Sequence, residues 1–230
     1  MRFFLALVLV LAWTVPAAAE TRNFGVSGFD RVRIEGPYKV KLATGVAPFA
    51  KASGSAAALQ RLAIRVDGRT LIIQSNQSSW GGYPGKDSGS VEITVGTHEL
   101  TTAILVGAGS LAIDKVKAFE FALTLQGGGL ASIQQTDVDR LNVAVAGTAS
   151  VILSGKARQL AAIVRGMASI QAPNLAVKNA TIAVEGAGSV AARVSDSVKV
   201  TGSGSGTIAL DGNPACTLKV NGAGSVTGCR

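Results

Sequence analysis

The hexapeptides EGAGSV (residues 185–190) and NGAGSV (221–226) are two copies of a pattern that recurs along the second half of the chain. Aligned on Ser110, Ser132, Ser150, Ser169, Ser189, Thr207 and Ser225, its copies are spaced by 22, 18, 19, 20, 18 and 18 residues. A glycine stands three residues before each anchor: Gly107, Gly129, Gly147, Gly166, Gly186, Gly204 and Gly222. A repeat this short cannot bury an apolar face by itself, so its copies must stack on one another.

The flanking residues say how. Leu141, Val143 and Val145 alternate with small or polar residues before Gly147, and Val151 and Leu153 alternate after Ser150. The next copies do the same with Leu160 and Val164, then Ile170, and with Ile182 and Val184, then Val190. Period two is the signature of a strand with one buried face. Glycine tolerates positive φ and carries no Cβ, which suits a tight bend between strands. Its neighbours are small, as in Ala108, Gly109, Ala149, Ala168 and Ala187, so bends can pile closely. The expected fold is all-β: a right-handed parallel β-helix, or β-solenoid, of about seven turns of 18–22 residues. The hand follows from the crossover rule, and strands spaced by ~4.8 Å give a rod of ~30 Å. A phosphate-binding glycine loop would need a helix after it. Here β-alternation follows every cluster, so these glycines read as structural corners.

The first half is less regular. Residues 1–19 read as a signal peptide: Arg2, an apolar run from Phe3 to Trp13, and Ala17-Ala18-Ala19 before the cut. Residues 20–100 read as a β-rich section continuous with the solenoid, and 101–230 as the repeat itself. "FDRVRIEGPYKVKLATG" gives two strands, about 29–34 and 38–43, split at Gly36-Pro37. Ser55 is placed to cap a short helix over 56–61, and Asp67-Gly68 to turn between strands. Residues 75–90 have loop composition. An exported chain meets an oxidising compartment, so Cys216 and Cys229 are expected to pair and hold the last turn, for ~3 kcal/mol. No stretch after the leader is long and apolar enough to span a membrane. The expected location is the periplasm or the extracellular cell surface.

The "FDRVRIEGPYKVKLATG" opening, the "DGRTLIIQ" strand, "VEITV" before the repeats and the recurring "GAGSV" corners resemble the head GIN domain of the auto-transporter adhesin family. The resemblance covers nearly all of the chain after the leader. It implies a secreted or cell-envelope β-helical protein and carries no catalytic residues. The chain departs from a true autotransporter in leaving no room for a membrane barrel after the repeats.

Little in the sequence points to catalysis. His98 is the sole histidine, so neither a nucleophilic triad nor a histidine metal site is in prospect, and no cofactor is expected. Outward columns place Arg165 beside Glu185 and Arg193 beside Asp211, which read as surface ion pairs on adjacent turns. Asp137 and Asp139, with Arg140 beside them, read as a solvated turn. The net charge is +8, yet only 16% of residues are charged and no basic run stands out. That favours acidic contacts only weakly, and nucleic acid is no partner for an exported chain. Trp80 and Tyr83, in "SSWGGYPG", offer a candidate ligand contact, or else fold back onto the solenoid. The function expected is therefore an exported, non-enzymatic interaction or structural module that meets a protein or glycan of the cell envelope. The alternatives are a polysaccharide-processing β-helix enzyme and a homo-oligomer built through strand edges.

Overall fold

From Ser110 onward each repeat unit is one long strand that bends around a central bore. These are β9 (Ser110–Gly127), β10 (Leu130–Gly147), β11 (Ser150–Gly166), β12 (Ser169–Gly186) and β13 (Ser189–Gly204). The end of the stack is broken into β14 (Thr207–Asp211), β15 (Ala215–Asn221) and β16 (Ser225–Thr227). The structure, a computed structural model, describes residues 20–76 and 90–230. Successive coils from β9 to β16 pair in parallel, so the repeat forms a parallel β-solenoid.

The register corrects the repeat. Ser110, Leu130, Ser150, Ser169, Ser189, Thr207 and Ser225 lie level with one another, at spacings of 20, 20, 19, 20, 18 and 18 residues. They bound about six circuits rather than seven. Leu130, not Ser132, occupies the anchor position, because "GGGLAS" offers three consecutive glycines and the serine alignment selects the wrong one. Gly127, with φ of 111°, is the corner residue there, and Gly129 is not in the positive-φ region. The other six named glycines are corners as expected, with φ between 88° and 111°. Gly36, at φ 119°, joins the column beneath Gly107.

The corners touch through backbone alone. A Cβ on Gly147 would sit 2.5 Å from the carbonyl oxygen of Gly127. Each step is closed by two hydrogen bonds: the Thr148 N–H donates to the Gly127 carbonyl at 2.9 Å, and the Ser150 N–H to the Gly129 carbonyl at 3.0 Å. The pattern continues up the stack, so every corner satisfies the peptide groups of the one before.

Between corners each coil has three inward runs. In β10 these are Ala131–Ile133, Thr136–Val138 and Leu141–Val145, and alternation breaks at Gln134–Gln135 and Asp139–Arg140. The coil bends at those breaks, giving three outer faces. The bore is filled throughout. β9 contributes Leu111, Ile113, Val116, Phe121, Leu123 and Leu125, whereas the shorter β13 coil contributes Val190, Ala192, Val194, Val198 and Val200. A shorter circuit encloses smaller side chains, which keeps interior density near that of other protein cores. Differences in coil length are absorbed in one place. The register shifts between β10 and β13 fall at Ile133/Thr136, Ile152/Ser154, Ala172/Ala176 and Val177/Asn179. All lie at the edges of the middle run, and none lies at the glycine corner.

The N-terminal section enters the same stack out of order. β2 (Arg31–Glu35) and β3 (Lys39–Thr44) flank Gly36 and make one coil. On one side that coil meets β8 (Thr102–Gly107) and β9; on the other it meets β6 (Thr70–Ser75) and β7 (Glu92–Thr97), all in parallel. The coil first in sequence is therefore second in space. Beyond it the direction reverses: β5 (Leu62–Asp67) runs antiparallel to β6, β4 (Phe49–Gly54) to β7, and β1 (Glu20–Phe24) to β4. The expected turn at Gly68 has φ of 58°. The expected helix is α1 (Ala56–Gln60), whose Ser55 hydroxyl accepts from the Ala58 N–H at 3.2 Å. At the opposite end Cys216 and Cys229 form the expected disulfide, with Cα atoms 5.7 Å apart. Both half-cystines pack against the core, and the Arg230 N–H donates to the Pro214 carbonyl at 3.2 Å. Among the described residues no helix is long and apolar enough to cross a membrane.

Candidate functional site

The middle face carries a groove of about 520 Å³ that crosses β10, β11, β12 and β13 and reaches Gly212. Its floor is Val138, Ala157, Val177 and Val194, all in the buried inner column of the middle run. Alternation then fixes what stands on either side of the floor: Asp137 and Asp139 on β10, Lys156 and Arg158 on β11, Lys178 on β12 and Arg193 on β13. The groove therefore pairs an aliphatic base with a charged rim.

The charges are organised between coils. Lys156 Nζ lies 3.4 Å from Asp137 Oδ2, and Arg158 Nη2 lies 2.8 Å from Asp139 Oδ1. Arg193 Nε lies 3.0 Å from Asp211 Oδ2, as the sequence columns required. Arg165 and Glu185, the other expected pair, meet at 3.0 Å on the face before the glycine corner, outside the groove. Lys178 makes no ion pair among the described residues. Such exposed pairs are worth ~0–1 kcal/mol, so they orient the side chains without holding them against a competing ligand.

Asp137 and Asp139 are not on a turn. They are two residues apart on a continuous strand, separated by ~7 Å along it. Two carboxylates in one groove are the raw material of glycoside hydrolysis. A carboxyl that donates a proton near neutrality, however, is found in an apolar pocket or beside another carboxylate. These two are partly exposed, and each faces a cation on the next coil.

Next to the groove, bordered by the ridge of Arg140, Gln159 and Asn179, lies a smaller furrow of about 360 Å³. Amides and hydroxyls line it, among them Asn142, Gln159, Asn179, Thr181 and Ser197. The Ser197 hydroxyl donates to Asn179 Oδ1 at 2.7 Å, and the Asn142 amide donates to Glu120 Oε1 at 2.7 Å. On β9 Glu120 continues the ridge, and beside it Phe119 is 64% exposed, with the Arg140 guanidinium 5.3 Å from the centre of its ring. Between Ala118, level with Val138, and Glu120, level with Arg140, Phe119 stands opposite Asp139.

The sequence-based candidates fall elsewhere. Trp80 and Tyr83 lie outside the described residues, as does the 1–19 leader. His98 is exposed beyond the end of β7. Among the described residues no group of His, Cys, Asp and Glu is placed to hold a metal. Lys156, Arg158 and Lys178 lie outside the two columns four residues either side of the corner serine that reveal the other pairs, and beyond a segment where coil length varies. Counting back from the next corner glycine finds them. Lys117, Asp137, Lys156 and Ala176 all stand ten residues before a corner glycine; Phe119, Asp139, Arg158 and Lys178 stand eight before.

Comparison with known proteins agrees with this architecture. The family model described as "Putative auto-transporter adhesin, head GIN domain" matches residues 28–214. The chain belongs to this family. Solved structures share its fold. A "putative adhesin" from Bacteroides fragilis superposes with a TM-score of 0.81 at 20% identity, over 91% of this chain and 96% of that one. A "putative lipid binding protein" from Parabacteroides distasonis gives a TM-score of 0.73 at 19% identity, over 92% and 96%. A "putative adhesin" from Parabacteroides merdae gives 0.71 at 16% identity, over 92% and 96%. Comparison with curated protein sequences finds no match.

Proposed function

We propose that this GIN-domain chain is an exported, non-enzymatic binding module of the cell envelope that presents one face of a rigid solenoid to a partner. One observation carries the reading: the middle-face groove is built for contact rather than turnover, because each carboxylate in it is matched to a cation on the neighbouring coil. Membership of an adhesin-head family and the leader-like N-terminus support the envelope location. The packed bore leaves the outer faces as the surfaces on which a ligand can be held. The test is binding of the folded protein to isolated envelope fractions, separated into polysaccharide, protein and lipid. Saturable binding to one fraction is expected, and the lipid fraction also checks whether the ligand suggested by one neighbour's name extends to this chain.

A second reading rests on a specific feature, the two carboxylates Asp137 and Asp139 in one groove. It makes the chain a polysaccharide-processing enzyme. It predicts release of new chain ends from a bound polysaccharide, and loss of that release in Asp139→Asn. The binding reading predicts none in either protein, so turnover abolished by Asp139→Asn would displace it.

A further inference from the structure

We infer that the middle-face groove and the furrow beside it are one site, and that its occupant is a linear polysaccharide bearing carboxylates, laid along the solenoid axis. The inference rests on the binding-module reading and names the partner class for it. Three features converge. The first is charge: the groove holds the four cations Lys156, Arg158, Lys178 and Arg193, of which three are paired with Asp137, Asp139 and Asp211 and one is in excess. Lys178, between Arg158 and Arg193 along the axis, has no ion-pair partner among the described residues. Cations repeated coil by coil, with ~4.8 Å between coils, suit a ligand whose negative charge is itself repeated along a chain.

The second feature is the polar ladder along the ridge itself. Gln159, Asn179 and Ser197 are level on successive coils. Amides and hydroxyls in a row match a hydroxyl-rich polymer, and an acidic polypeptide backbone would leave most of them unused. The third is the exposed Phe119 ring beside the ridge end, a flat apolar platform of the kind a sugar ring can cover. Two other occupants are disfavoured by the topology. β10, β11 and β12 are each paired on both sides, and β13 is covered on its far side by β14 up to Arg193 and by β15 from Ser197, so no more than residues 194–196 offer an edge here, too short for a peptide to extend the sheet. The apolar floor is recessed in the buried column, so it offers no protruding wedge for a bilayer.

The test uses the folded protein and four probes: alginate oligomers, dextran of similar length, poly-glutamate, and vesicles containing anionic phosphatidylglycerol. Binding is measured at two salt concentrations. Alginate binding is expected, weakening at least tenfold in Lys178→Glu and with added salt. It is expected to be unchanged in Lys51→Glu, which makes the same charge change on β4. Gln159→Ala is expected to weaken alginate several-fold while leaving any residual poly-glutamate binding alone. Melting temperatures of all variants should match the parent, which separates binding from folding. Equal losses in Lys178→Glu and Lys51→Glu would overturn the site, since net charge alone would then explain the affinity. Poly-glutamate bound as tightly as alginate, or vesicles bound in its place, would overturn the glycan assignment. Envelope binding with no alginate binding rejects this inference and leaves the binding-module reading standing. Binding to neither rejects both. Alginate bound and shortened rejects the non-enzymatic reading.

Discussion

The glycine corner and the middle face are two bends of the same coil, built on opposite rules. At the corner, Gly36, Gly107, Gly127, Gly147, Gly166, Gly186, Gly204 and Gly222 repeat without exception, all at positive φ, and register passes from coil to coil without a shift. At the middle face β9 and β10 match residue for residue, and every later coil then finds a different solution. β11 uses Gly155, at φ 118°, packed against the Thr136 backbone; β12 passes through Pro173-Asn174; β13 drops residues altogether. One bend fixes the stack and so tolerates no variation. The other is relieved of that duty, and its variation is where charge, depth and a binding surface accumulate. Function on this solenoid is placed where the repeat is weakest.

The largest effect should come from moving the corner itself. Deleting Thr148 puts the chain beyond Gly147 out of step and reverses the inward and outward faces of the next strand. The expected loss exceeds ~4 kcal/mol, in the range reserved for severe core disruption, and is read by thermal unfolding and circular dichroism. Deleting Gln135 shortens a 20-residue coil to 19, the length of the circuit from Ser150 to Ser169. Its loss should stay below ~2 kcal/mol. Similar collapse in both variants would erase the distinction between the bends.

A smaller effect of opposite sign is expected inside the middle run. The Thr136 hydroxyl is buried and finds no partner among the described residues. Its coil neighbours in that column are Val116 and Gly155. Thr136→Val should leave stability unchanged or raise it by up to ~1 kcal/mol, because an unsatisfied buried polar group is removed. Destabilisation on denaturant titration would mean that the hydroxyl is satisfied after all and that the middle run is better packed than its irregular register suggests.

The smallest effect concerns charge away from the groove. Glu92 on β7 is salt-bridged to Lys41 on β3, and that hydrogen bond and the lysine's charge lower its pKa from the usual 4.5. A lowered folded-state value means that the stabilisation is present above about 4.5 and is lost as pH falls through the folded value. Glu92→Gln should therefore lower stability slightly near neutrality, leave it unchanged below the folded value, and so flatten the acid limb of the stability curve. A change at pH 7 comparable to that of a corner variant would show that surface pairs contribute more to this fold than the comparison allows.

Legibility in the sequence divides along the same line. The parallel stack, the inward Val, Ile and Leu residues, six of the seven corner glycines, the Ser55 cap and the Cys216–Cys229 bond all rest on local rules that repeat, and they could be read directly. Gly36 stayed hidden because its coil is separated from the others by strands β4 to β7, so no fixed spacing points to it. Gly127 was hidden by two adjacent glycines with the same composition and a different conformation. The groove was hidden because Asp137 and Asp139, Lys156 and Arg158, and Lys178 belong to successive coils about 20 residues apart, and coil length changes just before them. Proximity that depends on accumulated register can be counted only from the nearest fixed point, which is the corner glycine that closes the coil.

The central claim is that one backbone corner, defined by conformation and not by small size alone, sets the register of every coil. It is tested most directly by the unfolding free energies of Gly127→Ala and Gly128→Ala, adjacent glycines in one bend. At Gly127, φ is 111° and a Cβ would lie 2.8 Å from the Gly107 carbonyl oxygen; at Gly128 a Cβ meets only the Thr148 hydroxyl, at 3.3 Å. The account predicts a loss of ~2–3 kcal/mol at Gly127 and a change within ~0.5 kcal/mol at Gly128. Equal losses at the two positions, or the larger loss at Gly128, would contradict it.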